Sequence, residues 1–566
     1  VDAKARDEHA TRKLKTLASL INASFVINSS PVLQTSDTIA MTLTGKQLIG
    51  YTAAAAGTKT FSNDDVDVRF YEATAAEVDQ AARLASGAFA RYRQLSGVTR
   101  AAFLERIAHE LSLVRAPLNE MAQRETGLPS ARLDGEITRT INQIKLFAAL
   151  ITEGSWVRAM IDPAQPDRQP LPKADIRQMQ IPLGVIGVFG ASNFPFAFSV
   201  AGGDTISALA AGCCVVYKSH PGHPATSEMT GDAIVRAARA TDMPEGVFSL
   251  LQGAGHESGV QLVTHPLISA VGFTGSLGGG RALFNAAAQR AEPIPVYAEM
   301  GSVNPVILLP GILAEKNTEL AKTLAGSNTL GTGQFCTNPG VFLALDSNET
   351  NAFLQTYANT IAATPADGML TEPICKSYAK GIARLSNHPE VKAMATGQAT
   401  EKKRSGVPNA FKTTVAAFLK DASLQEEVFG PAALHVVAGS REELLEAIRQ
   451  MHGQLTLSVW GTPQDLVEYS DIFKVLELKG GRIICNGVPT GVEVTHAMMH
   501  GGPYPATTDS KYTSVGTQAI YRFTRPVCYQ NYPQHLLPAP LLNENPLNVW
   551  RWVNGQPQQG PLTTPA

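Results

Sequence analysis

The sequence predicts an α/β fold built on parallel strands, and three observations carry that expectation. Between Val185 and Phe273, short apolar runs alternate with helical stretches, the signature of successive βαβ units. The 566 residues, 44% of them hydrophobic, suffice for two substantial cores with smaller attachments. The 48 glycines and 35 prolines are spread along the chain, so they read as turns between many short elements.

Taken in order, residues 1–40 look foreign to the rest of the chain. Arg12, Lys13 and Lys15 precede a patchy apolar run from Leu17 to Ile27, a faint outline of an export signal that Asn22 and Ser24 interrupt. Met41 then opens MTLTGKQLIG like a natural start, so 1–40 are expected to be a non-native or disordered extension. Helical periodicity covers Ala73 to Leu95 and Thr99 to Thr126, where Phe103, Ile107 and Leu111 recur at four-residue steps and Thr99 offers an N-cap. A further helix is predicted over Glu136 to Leu150.

Trp156 to Ile181 reads as a long polar hairpin with Pro163, Pro166, Pro170 and Pro172 in its tip. Strands are then expected at Val185–Phe189, Cys213–Lys218, Val247–Leu251 and Ala270–Phe273, with helices ending near Ala211 and running from Ala225 to Ala240. Ligands of such sheets bind beyond the carboxyl ends of the strands, so residues just after strands carry most weight. Tyr521 to Tyr532 is a late β-like run. An extended hairpin that buries little of itself packs against another subunit, which predicts a homodimer or homotetramer. The Pro-, Asn- and Gln-rich tail after Leu537 is expected to be mobile.

Composition excludes several function classes. Only 17% of residues are charged and the formal net charge is −2, so nothing suggests nucleic acid or a membrane surface. Met179 to Gly203 lacks charged side chains, but Pro182, Asn193 and Pro195 interrupt it, against a membrane helix. The six cysteines form no CxxC pair and no metal-ligand spacing. A reduced, cytoplasmic protein without metal is expected.

Three residues stand where chemistry is possible. Cys336 lies in GTGQFCTNPG, a loop between glycines and Asn-Pro-Gly; it is either a nucleophile or a small buried hydrophobe. Glu299 follows an apolar strand in VYAEMGSVNP, as a general base or a surface charge. Asn193, in GASNFPF, is either a turn residue or an amide donor to an oxyanion.

In combination these pieces become specific. PLGVIGVFGASNFPF, VVYKSH, GFTGS, EMGSVNP, GQFC and EEVFGP succeed one another in that order. From Met41 to about Gly555 the chain resembles the aldehyde dehydrogenase superfamily. GQFCTNPG and GVPTGVEVTHAMMHGGPYPATTDSKYTSVG are most similar to the α-ketoglutarate-semialdehyde dehydrogenases within it, and related NADP-using long-chain aldehyde dehydrogenases carry similar GQFCTNPG segments. The resemblance implies a Rossmann-like cofactor domain over 41–155 and 182–298, and an α/β catalytic domain over 299–518. It also implies a small β oligomerisation hairpin from 156–181 and 519–535, leaving 536–566 as tail.

It further implies that Cys336 adds to an aldehyde, that Asn193 and the Cys336 N–H hold the oxyanion, and that Glu299 activates water against the thioester. Lys218, Gly275, Ser276, Glu427 and Phe429 match the positions that bind NAD or NADP. Many NAD-preferring relatives place a glutamate three residues after the lysine; Pro221 stands there, so NADP is permitted, with Ser219 and His220 as partners for its 2′-phosphate and Arg281 as a weaker one. Arg139 and Gln143, four residues apart on one helix face, are expected to hold the carboxylate and keto group of a small dicarbonyl acid. The rival readings are a broad aliphatic aldehyde dehydrogenase preferring NADP, and a non-catalytic binding protein on the same fold.

Overall fold

Two seven-stranded sheets carry the residues expected to do chemistry. The computed structural model describes residues 42–63 and 65–562, so the extension expected over 1–40 lies outside the described residues. The first sheet runs Val296–Glu299, Ile268–Thr274, Val185–Phe189, Cys214–Lys218, Phe248–Leu251, Gln47–Ile49 and Thr52–Ala54. Its first five strands are parallel and the last two antiparallel. VIGVF is buried along its whole length, because helices cover both faces of a parallel sheet. That is why these strands show as continuous apolar runs rather than as an alternation.

The helices differ from expectation mainly at their ends. Ala75–Tyr92 starts on a capping box between Thr74 and Glu77. The next helix, Gly97–Leu113, is capped by Ser96, whose Oγ accepts from Thr99 N; Thr99 therefore sits inside the first turn and is not the cap. The helix predicted to continue to Thr126 is two helices, broken at Val114, with a second over Arg115–Thr126. Pro117 explains the break, since in a continuous helix its ring would meet the carbonyl four residues back, whereas a first turn tolerates it. Ser130–Glu153 is longer than the predicted helix and stops at Gly154 in the left-handed conformation.

The second sheet runs Lys392–Thr396, Asn409–Thr414, Ala432–Ala438, Val341–Leu345, Val306–Leu308, Gln454–Trp460 and Gly480–Cys485, parallel except for its first pair. Its two faces bury separate clusters, Ile307, Leu343 and Leu434 on one side and Val306, Phe342 and Val437 on the other.

A five-stranded sheet contains the hairpin. Met160–Asp162 and Ile176–Pro182 pair with each other, and Thr524–Gln530 adds along the outer edge. The tail, expected to be mobile, instead contributes two strands to it: Arg551–Val553 pairs with Met160–Asp162, and Gln556–Gln558 pairs with Arg551–Val553. Buried Arg551 secures this end by donating to the carbonyls of Leu542 and Gly560. Composition hid the strands, because turn-forming asparagines such as Asn545, Asn548 and Asn554 separate very short elements.

No helix among the described residues is long and apolar enough to cross a membrane. The uncharged stretch from Met179 to Gly203 divides into the end of one strand, the whole of another, and a run of turns before the helix Gly203–Ala211.

Candidate active site

The loop bearing Cys336 is fixed before any side chain acts. Gly331, Thr332 and Gly333 all have positive φ, at 55°, 58° and 63°. A Cβ on Gly333 would lie 2.3 Å from the carbonyl of Gly430, so only glycine lets the GTGQFC and EEVFGP motifs touch. Asn338 Nδ2 donates to Gly430 O at 3.2 Å across the same contact. From the other side, the fully buried Asn304 of EMGSVNP donates its Nδ2 to the carbonyls of Cys336 and Asn338 at 2.8 and 2.9 Å.

Glu299 ends the strand Val296–Glu299 and is 3% exposed, so it is no surface charge. His500 Nε2 lies 2.9 Å from Glu299 Oε1 and 3.4 Å from Cys336 Sγ, and Ser514 Oγ donates to Glu299 Oε2. Burial works to raise the Glu299 carboxyl, but the attraction of His500 and the hydrogen bonds from His500 and Ser514 outweigh it, holding the group below the usual carboxylate range. Burial, reinforced by the neighbouring Glu299 charge, pushes the Cys336 thiol well above its ordinary value. The resting site is therefore a neutral thiol beside an ionised carboxylate. Sequence reasoning missed His500, which lies in THAMMHGGPYP and meets its partners across 164 and 201 residues. The only signal was that departure from the family's usual late segment.

Asn193 is buried at the same loop, its Nδ2 donating to Gln334 O at 3.0 Å, two residues before the cysteine. Arg132, also unforeseen, donates to Asn193 O at 2.8 Å, with its guanidinium over the rings of Phe194 and Phe335. Glu136 accepts from Phe196 N and Ala197 N, tying the SNFPF turn to the helix Ser130–Glu153.

Arg139 lies one turn further along that helix, over the ring of Phe198, and its Nη1 has no partner among the described residues. Arg482, from the edge strand Gly480–Cys485, donates to the carbonyls of Pro489 and Gly491, while Arg139 reaches Val492 O at 3.4 Å. Two guanidiniums thus converge on one segment, both within electrostatic reach of the Cys336 sulfur. Gln143, four residues on from Arg139, is buried, and its amide packs beside Gly203, where the Ser514 carbonyl also approaches.

The residues expected to bind a dinucleotide lie at the carboxyl ends of the first sheet's strands and across from them. Lys218 ends its strand, with Nζ donating to Gly253 O at 2.5 Å, and desolvation lowers its amine to about 8. Ser276 caps the helix Leu277–Ala288, with Gly275 and Ser276 both exposed and space around Gly278 for a phosphate near the helix N-terminus. Glu427 and Phe429 line a cleft shared with Ser302 and Phe335. Desolvation pushes the Glu427 carboxyl up to about 8, against a lowering hydrogen bond from the Ser302 backbone.

The residues present fit a nicotinamide dinucleotide. The hydroxyl of buried Ser219 lacks a partner among the described residues, whereas His220 turns its Nδ1 to Gly222 N and stacks on His223. Burial, with the neighbouring His223 and Lys218, drives His220 well below its ordinary value. Arg281 packs against Phe284 and Tyr504. Glu72 adds a carboxylate that sequence reasoning did not place here; it acts electrostatically on Lys218 and lies 3.6 Å from where a Cβ on Gly253 would sit.

Comparison with known proteins agrees with this geometry. The family model described as "Aldehyde dehydrogenase family" matches residues 58–524. The chain is 46% identical to alpha-ketoglutaric semialdehyde dehydrogenase 2 of Azospirillum brasilense over 91% of its own length and 100% of the relative's. It is 44% identical to alpha-ketoglutaric semialdehyde dehydrogenase of Acinetobacter baylyi, over 90% and 98%. Among solved structures, aldehyde dehydrogenase from Bacillus cereus superposes with a TM-score of 0.73 at 21% identity, covering 86% of this chain and 96% of that one. Betaine aldehyde dehydrogenase from Staphylococcus aureus gives 0.73 at 19%, covering 87% and 99%. A loop cysteine beside a buried glutamate, a lysine closing a parallel strand and a match over most of the length meet in one place: the chain belongs to the aldehyde dehydrogenase family.

Proposed function

We propose that this protein oxidises α-ketoglutarate semialdehyde to 2-oxoglutarate through a thioester on Cys336, with a nicotinamide dinucleotide as oxidant. The observation that carries the reading is the buried cluster in which the Cys336 thiol, Glu299 and His500 meet beside Asn193. An aldehyde does not release hydride directly, whereas the tetrahedral alkoxide formed by thiol addition does. Ionised Glu299 is placed to take the thiol proton as sulfur attacks. The Asn193 amide and the Cys336 N–H then face the alkoxide oxygen. A nicotinamide dinucleotide held by Lys218, Ser276 and Glu427 would supply the hydride acceptor, and Glu299, oriented by His500 and Ser514 and having passed the thiol proton to solvent, draws a proton from the water that hydrolyses the thioester.

Substrate choice rests on charge. Arg139 and Arg482 supply two poorly neutralised guanidiniums at one mouth of the site, suited to the carboxylate and keto oxygens of a short dicarbonyl acid. The two similar relatives bear that substrate in their names. A second reading has its own observation: Phe194 packs edge-on against both Phe198 and Phe335, a wall that would equally receive an aliphatic chain. Steady-state kinetics with α-ketoglutarate semialdehyde, succinic semialdehyde and hexanal, each with NAD and NADP, tests the choice. A preference for hexanal untouched by Arg139→Ala overturns it.

On the cofactor, Pro221 and Ser219 leave room for NADP, while Glu72 beside Lys218 opposes a 2′-phosphate, so use of both dinucleotides is proposed. The exposed Met160, Leu171 and Ile176 of the hairpin, with Trp552 of the added strand, support a homo-oligomer formed through this sheet.

A further inference from the structure

Three ligand types converge at the nucleophile. Glu299, Cys336 and His500 each offer one donor atom, and these atoms all lie within 4.8 Å of one another. We propose that these side chains form a reversible inhibitory site for a soft divalent cation, zinc above all, bound between the Cys336 sulfur, His500 Nε2 and a Glu299 oxygen.

The geometry is near what zinc requires. With Zn–S about 2.3 Å and Zn–N or Zn–O about 2.0–2.1 Å, a tetrahedral site has ligand–ligand edges of about 3.3–3.6 Å. The sulfur–imidazole edge is 3.4 Å and the imidazole–carboxylate edge 2.9 Å. The imidazole–carboxylate edge has to open by about 0.4–0.7 Å, and the sulfur–carboxylate separation, within 4.8 Å, has to close to the same range. Charge also balances, since one thiolate and one carboxylate neutralise a dication in a site where Glu299 and His500 are 3% and 0% exposed. Three protein ligands leave the fourth position open to water, the arrangement of exchangeable rather than structural zinc.

Binding is a proton exchange without redox change. The S–H bond breaks, an S–Zn bond forms and the thiol proton passes to solvent. The proton on His500 Nε2 moves to Nδ1, which has no partner among the described residues whichever tautomer is present. That missing partner keeps affinity below that of a site whose histidine is held from behind, and so keeps the ion removable. A bound ion masks the sulfur and engages the base, so turnover stops while the dinucleotide cleft is untouched.

The test is metal binding to the apoenzyme, with activity as a second readout. Titration with Co²⁺ is expected to give one tetrahedral ion per chain with a sulfur-to-cobalt charge-transfer band, displaced by Zn²⁺ and removed by EDTA. Zinc should also protect Cys336 from iodoacetamide. Cys336→Ser should abolish the band. His500→Phe and Glu299→Gln should each weaken zinc by more than the roughly 10–100-fold that loss of a supporting contact costs. Replacing the exposed Cys485 and Cys528 by serine should change nothing. The proposal is overturned if the band survives Cys336→Ser, or if both His500→Phe and Glu299→Gln bind zinc as tightly as the unaltered chain. Both readings concern spectra and affinity, so they are independent of which aldehyde is oxidised.

Discussion

The side-chain amide of Asn304 holds the main-chain carbonyl of Cys336 at 2.8 Å, from 32 residues earlier in the chain. The nucleophile is thus positioned through its backbone, and Asn304 adopts a left-handed φ of 45° to do so. Asn304→Asp keeps the size and tolerates the φ but sets a carboxylate against two carbonyls. We expect kcat to fall and stability to drop by about 1–3 kcal/mol per lost bond, read by denaturant unfolding alongside single-turnover kinetics. Unchanged values in both would show that the Cys336 loop is held elsewhere.

Glu299→Gln separates the two halves of the reaction. Its amide cannot take a proton from water, so hydrolysis should slow by roughly 10²–10⁴-fold. If the thiol can lose its proton to solvent without the carboxylate, a stoichiometric burst of reduced cofactor should remain, measurable by stopped-flow absorbance. A steady state equal to the unaltered enzyme would remove Glu299 from the base's role.

Asn193→Ala removes one oxyanion donor and should cost about 10²–10³-fold in kcat. Because its amide also bonds Gln334 O, Asn193→Asp serves as the partner variant: it retains the shape and loses the donor. Equal losses in the two variants place the effect in hydrogen-bond donation.

The thiol's pH dependence has a definite sign. Burial and Glu299 raise Cys336, so neutral thiol persists as pH rises, and iodoacetamide inactivation should keep accelerating past the roughly 8.5 of an ordinary thiol. Glu299, held low, stays ionised throughout that range and contributes no inflection. In Glu299→Gln the repelling charge is gone, so the inactivation curve should shift to lower pH. A curve that stays in place refutes the electrostatic coupling.

Arg139→Ala and Arg482→Ala should raise KM for α-ketoglutarate semialdehyde by about tenfold or more, since charge-assisted hydrogen bonds contribute about 1.5–3 kcal/mol, while hexanal is little affected. Glu72→Gln should improve kcat/KM with NADP relative to NAD, and an unchanged cofactor ratio would place Glu72 outside the ribose site.

The parallel strands and the chemistry they carry were legible because both are local. VIGVF is apolar throughout and CVVYK is so up to its closing lysine, and each motif closes a strand or opens a turn. Cys336, Glu299 and Asn193 could be named for the same reason. His500, Arg482 and Glu72 were not legible, since each reaches the site from a distant segment whose neighbours show no periodicity. Helical spacing gives Arg139 and Gln143 a shared face and leaves open what each side chain meets, which for Gln143 is the backbone beside Gly203. The absence of metal-ligand spacing likewise says nothing of ligands that only folding assembles.

The strand Ile176–Pro182 has its outer partner, Thr524–Gln530, roughly 340 residues later. At about 5–20 residues per second of synthesis, the nascent hairpin keeps an unpaired edge for roughly 20–70 s. Slow translation or a truncated message would prolong that interval, leaving main-chain groups free to zip onto a neighbouring nascent copy. Recombinant yield should therefore respond to cooler growth and to the supply of chaperones that shield unfinished chains.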